Sequence, residues 1–398
     1  MSTLKVGGIR GVSASSDAIT VANDGSCTAS ITNNLSNRNI IKNGAMMVDQ
    51  RNIGSAVTCG ASSGTTFGCD RMQMQNNNSG QLVFTAQQVA DAPAGFYYSQ
   101  KITITTPEST GATPDADDRS GMQYRMEGYD INPLSLGTAN AKDFIVSFYI
   151  KVSTAGNYGL AIVNQSGTRS YCVLYPATTS WTRVTVKVPK DTSGTYAATN
   201  AQALALKFGF YNGSSRVGPD QGITGTGSWQ ASNAPQGTTG QTQLGGINGA
   251  TWQITGLQLE EDSGSGVATD FEHRSFGHEL ASCQRYFYKV IGDSGDHTGI
   301  IGYFTQAAES RVGIHVPVPM RAAASYAGNG TGNMDSAPDS NDFDLSANTN
   351  TIDVQTTTQN PDSFQLQCIH SGGSNVGGHG CGLRFRSSGA FISLSAEI

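Results

Sequence analysis

Charge is what this sequence has least of. Asp, Glu, Lys and Arg make up 14% of its 398 residues, where a globular chain usually carries about a quarter. The formal net charge is −6, and the basic residues never gather into a block. Phosphate backbones are held by clustered Lys and Arg, so nucleic acid is excluded as the main partner. A run of about eighteen apolar residues is missing too, which argues against a helical membrane span and against membrane insertion. The opening "MSTLKVGGIRGVSASS" lacks the apolar stretch of a secretory leader, so synthesis in the cytoplasm is expected. Helix-forming material is scarce: Gly fills 49 positions, and the abundant Ser, Thr and Asn also disfavour helix interiors. The seven cysteines are odd in number and scattered, as small buried hydrophobes of a reducing compartment would be. Cys59 and Cys69 could pair on spacing alone, but free thiols are the expectation.

What is present is an alternation of period two. In "FIVSFYIKV" (144–152) Phe144, Val146, Phe148, Ile150 and Val152 share one face, with Ser147, Tyr149 and Lys151 opposite. "TRVTVKV" (182–188) and "LALKFGFY" (204–211) repeat the pattern, and "QLVFTA", "YYSQKITIT", "MQYRMEGYDI", "YGLAIVN" and "SYCVLY" extend it. Such runs, joined by Gly, Ser and Asn loops, predict an antiparallel β-sandwich, with a jelly roll the natural form at about eight to ten strands. In "TWQITGLQLEE" the apolar phase switches at Gly256, which predicts a β-bulge. The stretch 212–250 is polar and Gly-rich, a composition that favours variable surface over a functional loop.

The expected organisation is all-β. Residues 1–40 form a short β arm for docking or oligomerisation, 41–275 the jelly roll, 276–290 a helical joint, and 291–398 a smaller β-domain around the polar loop 327–350. The joint, "SFGHELASCQRYFY", is the only stretch with helix spacing, and it places Phe276, Leu280, Cys283 and Phe287 about one face. Its His278 and Glu279 start like a zinc-protease motif, but the second histidine is missing. His273 and His278 stand five residues apart, off a common helical face, so zinc is not expected. Here Arg274 and Arg285 would answer Glu272 and Glu279, while Tyr286, Phe287 and Tyr288 pack at a domain or subunit interface.

Other candidates concern sugars and calcium. Aromatic platforms for a sugar would be Tyr149, Tyr158, Trp181 and Trp229, with Arg183 beside Trp181. An exposed-phase Trp is equally expected at a subunit interface. In the last domain His370 and His379 lie in plausible tip loops and could meet on a threefold axis. "PDADDRSG" gathers Asp115, Asp117 and Asp118, oxygen donors of the kind that hold calcium. The loop lacks the Gly and closing Glu of an EF-hand, so an acidic turn partly neutralised by Arg119 is favoured. Glu260, Glu261 and Asp262 are adjacent, the wrong geometry for the two separated carboxylates of a glycosidase.

Several separated motifs then agree with one family. "NIIKNGAMMVDQRN", "CDRM", "FIVSFYIKVSTAGNYGLAIVN", "SWTRVTVKVPKDTSGTY", "GSWQ" and "WQITGLQLEEDSGSGVATDFEHRSFGHELASCQRYFYK" resemble, in order over residues 1–290, bacteriophage tail-fibre-like virion proteins of the marine podovirus type with a carbohydrate-binding-module-like jelly roll. The resemblance implies a non-enzymatic, trimeric fibre on the virion exterior, without a required cofactor beyond a possible structural calcium. Its arm would meet other virion proteins, its jelly roll would space or bind, its last domain would be the distal tip, and recognition of a host glycan or other receptor would be the task. The helical segment would join the two β-domains. A long slender shaft is not expected, because no coiled-coil or shaft repeat occurs. A head fibre or capsid decoration protein of purely structural role is the alternative. A glycan depolymerase is the other, disfavoured by the absence of a β-helix repeat.

Overall fold

The computed structural model describes residues 6–12, 17–24, 27–29, 37–111, 113–232, 234–293, 297–307, 309–326, 334–337, 351–354, 363–369, 377–385 and 388–398. His370, and loop 327–350 apart from Met334–Ala337, lie outside these residues. Two antiparallel sheets carry the first large unit. One runs in the order Thr182–Val188, Phe144–Val152, Thr251–Glu261, Ser99–Thr106, Val83–Val89, Val57–Cys59. The other is seven-stranded: Gln230–Ala231, Arg169–Ala177, Gly156–Asn164, Gln202–Asn212, Arg119–Glu127, Gln73–Asn77, Ser62–Phe67.

The alternation explains why they face each other. Val146 pairs with Val186 and Phe148 with Val184, so one side of that ribbon is continuously apolar. It meets the matching side of the second sheet, where Phe148 stands edge-on to Phe208 at 5.1 Å between centroids. Phe84 meets Phe210 in the same way at 5.1 Å. All four rings are fully buried. Burial of each such side chain is worth about 1.5–3 kcal/mol, and the edge-to-face geometry adds to it.

The phase switch in the Thr251–Glu261 strand is a register jump. Ser147 faces Gln258 but Tyr149 faces Thr255, leaving two residues opposite Phe148. Gly256 takes φ +63°, and a side chain there would stand 2.8 Å from the Phe96 ring. Only glycine suits both conditions.

The polar stretch after residue 212 is not loose surface. It lies across the outside of the seven-stranded sheet, with Val217–Gly218 and Gly237–Thr238 forming a small parallel pair. Thr238 donates to the Val173 carbonyl at 2.9 Å, and Gln243 accepts from Asn212 N at 2.9 Å and donates to Asn212 O at 3.0 Å. Amide side chains make this layer cohere by hydrogen bonding, which is why its composition resembles that of a loop.

Helix Phe276–Gln284 is N-capped by Ser275. Its buried face differs from the apolar one expected. Glu279 and Cys283 point inward, whereas Phe276 is 54% exposed. The helix packs on polar backbone, and Glu279 accepts from Asn43 N at 2.5 Å. Beyond it, a three-stranded sheet (Phe287–Gly292, Ala390–Ser395, Ser325–Tyr326) and a six-stranded sheet enclose a second core containing Phe304, Val312, Phe364, Leu366, Leu383 and Leu394. Near the start, Gly8–Ile9, Ile19–Val21 and Cys27–Ala29 form a small antiparallel sheet. Its Ile9 is exposed. Cys59, Cys69, Cys172, Cys283, Cys368 and Cys381 are buried free thiols. No helix among the described residues is long and apolar enough to cross a membrane.

Candidate functional site

The outer face of the six-stranded sheet carries a cross-strand row. Lys151 pairs with Gln253, and Gln253 with Lys101. Trp181 enters the row just before the Thr182–Val188 strand, its indole 5.2 Å from the Lys151 ammonium. Asp91, in the segment that follows Val83–Val89, ties the row together. It accepts from Trp181 Nε1 at 3.3 Å and from Gln253 Nε2 at 3.1 Å, and it pairs with Lys151. The hydrogen bond from Lys151, followed by that from Trp181, holds the Asp91 carboxyl below the usual carboxylate range. In the next row Tyr149 pairs with Arg183, whose guanidinium lies 5.9 Å from the Tyr149 ring and donates to the Thr269 carbonyl. Phe96 packs on Tyr149 at 5.4 Å and on Phe271 at 5.0 Å, and His273 rests against both phenylalanines. Trp181, Tyr149 and Arg183 are therefore brought together on one half-exposed surface.

Two expected platforms are not surface residues. Tyr158 is fully buried, and its hydroxyl donates to the Thr154 carbonyl at 2.7 Å. Trp229 is 6% exposed, donates to the Pro189 carbonyl at 2.7 Å and packs on Tyr171 and Tyr196. Neither can stack on a sugar. Tyr158 stands on the core side of its strand, and Trp229 is the apolar anchor of a polar layer. His379 lies exposed beside Phe304, whose N–H it receives through its own carbonyl; His370 lies outside the described residues.

The acidic triplet is divided. Asp118 accepts from Asp115 N at 2.9 Å and from Ser79 N at 2.8 Å, closing a turn. Asp117 pairs with Arg216 at 3.1 Å, not with Arg119. Among the described residues no three His, Cys, Asp or Glu side chains converge as metal donors. The adjacent acids at the strand end are also separately engaged. Glu260 accepts from Thr269 N at 2.9 Å, Glu261 pairs with Lys142 at 2.8 Å, and Asp262 with Lys187 at 2.9 Å.

The helical segment is a polar clamp. Arg274 contacts both Glu272 and Glu279, at 3.5 and 3.4 Å. Arg285 reaches instead to Glu127 on the seven-stranded sheet, at 2.8 Å, and the buried Tyr286 hydroxyl donates to the same carboxylate. Burial would lift Glu127, but the hydrogen bonds from Arg285 and Tyr286 outweigh it and hold the carboxyl below its ordinary value. Phe287 is buried under the Arg51 guanidinium at 3.6 Å.

Beside this clamp opens a cleft of about 680 Å³, lined among others by Arg38, Lys42, Tyr129, Asp130, Glu260 and His278. Tyr129 is 61% exposed on its wall. The sequence reading missed it because "MQYRMEGYDI" looks like one strand. The chain in fact leaves the sheet after Glu127 and turns helical at Gly128–Ile131. Gly128, Asp130 and Pro133 in quick succession were the available signal.

No protein-family model matches this chain, and no curated protein does. Among solved structures it is similar to the enzymatically active domain of bacteriophage CBA120 tailspike protein 4, at 11% identity over 58% of this chain and 24% of that one, with a TM-score of 0.30. A second is the family 11 carbohydrate-binding module of a Clostridium thermocellum cellulosomal cellulase, at 12% identity over 52% and 95%, TM-score 0.26. A third is TmCBM61 in complex with β-1,4-galactotriose, at 10% identity over 56% and 99%, TM-score 0.27. The chain spans about a quarter of the tailspike chain's length.

Proposed function

We propose that this chain is a virion fibre-type protein of a bacteriophage, a short tail fibre whose jelly roll recognises a glycan on the host surface and does not hydrolyse it. The Trp181 row carries the reading. A half-exposed indole on a rigid strand edge, flanked by an amide, a carboxylate and two amines, combines an apolar face with directional polar groups. Sugars present that same combination, since their ring faces are apolar and their rims carry hydroxyls. The ordered sequence motifs over residues 1–290 support the virion assignment. One such module binds a sugar at about millimolar strength, roughly 4 kcal/mol, and several copies on one particle raise apparent affinity by about 10²–10⁴. A homotrimer whose arm, residues 1–40, docks on other virion proteins would supply those copies.

The test is binding of the full chain to host envelope glycans, with Trp181→Ala beside the unaltered protein. At least a ten-fold loss in the variant is expected, with no release of sugar fragments. Fragment release would turn the reading toward a depolymerase. Equal binding by both proteins would remove the Trp181 row from recognition, and no binding by either would favour a purely structural fibre. Light scattering should give three times 41.6 kDa.

A further inference from the structure

On the opposite face of the sandwich Lys207 and Arg119 make no ion pair among the described residues. On the outside of the seven-stranded sheet, Lys207 pairs with Gln123, and Gln123 with Gln73. Two residues along the Arg119–Glu127 strand from Gln123 stand Gly121 on one side and Arg125 on the other, with Arg119 beyond Gly121. Gly121 itself pairs with Gln75 and with Gly209. The nearest atoms to where its side chain would stand are backbone atoms of the neighbouring strand. Lys207, Arg119, Gln75 and Gln123 stand around Gly121, while the polar layer covers the adjoining Gly209 through Gln236 and Gly237.

Lys207 is only 9% exposed, yet its ammonium makes no hydrogen bond or ion pair among the described residues. Gln75 Oε1, Arg119 Nε and Asn212 Nδ2, all on this face, are buried without partners. Asp117, on Arg216, is the carboxylate at its margin, and it is 77% exposed. Buried polar groups in a native fold are normally satisfied, and buried charges are normally paired. Here two donor nitrogens, one acceptor oxygen and the Lys207 ammonium stand without partners on one face of a net-acidic protein.

We infer that this face is a binding site for an acidic saccharide, whose carboxylate or sulfate group is held by Lys207 and Arg119 above Gly121. The Gln75 side-chain oxygen and the Asn212 side-chain nitrogen would meet hydroxyls around that anion, while Gln123 already donates to Gln73 at 2.9 Å. Burial, with the Arg125 and Arg119 charges added, holds the Lys207 amine down to about 8. It is still mostly protonated at neutral pH and has much to gain from an arriving anion. The saccharide part rests on the glycan reading above, but the surface is a separate one.

The experiment is calorimetric titration of the full chain with three probes: a hexauronate, a sulfated neutral-backbone hexasaccharide and the same hexasaccharide unsulfated. At least one acidic probe is expected to bind ten-fold or more tightly than the neutral one, and to weaken with salt. Which acidic probe wins separates carboxylate from sulfate. Lys207→Met and Arg119→Gln should each abolish the preference, while Trp181→Ala leaves it; circular dichroism melts confirm folding, with Arg119→Gln as the independent variant. Equal binding of acidic and neutral probes overturns this inference and leaves the Trp181 reading standing. Binding unchanged in both cation variants overturns it as well. A change of oligomeric mass in those variants, without loss of saccharide binding, assigns the face to a subunit contact and refutes the site. If no probe binds, this inference fails, and the host-glycan binding test alone decides the Trp181 reading.

Discussion

Replacing Glu397 by Gln should loosen the joint between the two β-units more than any surface change of equal size. Arg71, from the jelly roll, is buried and lies 3.5 Å over the Tyr286 ring. Its guanidinium pairs with Glu397 and donates to the Arg125 carbonyl at 2.5 Å. Glu397 also takes Arg51 at 2.9 Å, and the Arg71, Arg51 and Glu397 side chains are 2%, 15% and 9% exposed. Burial disfavours the Arg71 charge, but Glu397 first, then Tyr124, Tyr286 and Cys283, together offset it and raise the guanidinium pKa. Gln keeps the shape and one acceptor but removes the charge, leaving a buried cation without its anion. Removing one member of a buried pair typically costs about 3–5 kcal/mol. For a unit of this size, each kcal/mol moves Tm by about 2–4 °C, so a fall of roughly 10 °C is expected. The assay is a calorimetric melt, repeated with Arg71→Met and with the double variant. In the double variant Met fills the space beside Tyr286, and most of the loss should return, because an apolar replacement of a buried pair is often neutral. A Glu397→Gln melt within about 2 °C of the unaltered protein, or strictly additive effects, would refute the reasoning.

Lys207→Met should stabilise the fold at neutral pH. The amine titrates near 8 in the folded chain against 10.5 unfolded, so between those values the unfolded state binds more protons and stability rises with pH. Below about pH 8 the charged form costs on the order of 3 kcal/mol, which the variant recovers; urea melts showing a loss at pH 7, or an unchanged slope from pH 8 to 10, would contradict it. Glu127→Gln should flatten the acid limb of stability. The folded carboxyl lies below its usual 4.5, so its contribution is present above that value and disappears as pH falls through the folded one. Gly256→Ala should cost about 1–3 kcal/mol or more, from a positive φ together with the clash on Phe96. Gly264→Ala, at φ +93° with open space around it, isolates the backbone share in the same denaturation assay.

Strand content was legible because alternation is a local property. Phe144–Val152 and Thr182–Val188 occupy the very stretches where the period-two pattern ran. The Gly256 bulge was legible for the same reason, since a phase switch is visible along one strand. Gln73–Asn77 was not, because Met74 is its one apolar residue and no alternation shows. Tyr158 shows the limit within a strand: alternation says which residues share a side, not which side is the core.

The sequence by itself determined an all-β chain of low charge, and alternation placed Tyr149, Trp181 and Arg183 off the apolar face of their strands. Tertiary structure alone decided which polar residues are sealed in. Trp229 belongs to the core because the layer around it folds back over Tyr171 and Tyr196. Arg285 answers Glu127, about 160 residues away in the chain, and not the neighbouring Glu279. Lys207 and Arg119 share one face only because their strands pair antiparallel in a particular register. Side-chain burial and charge pairing depend on contacts between distant segments, and no local period in the chain encodes those contacts.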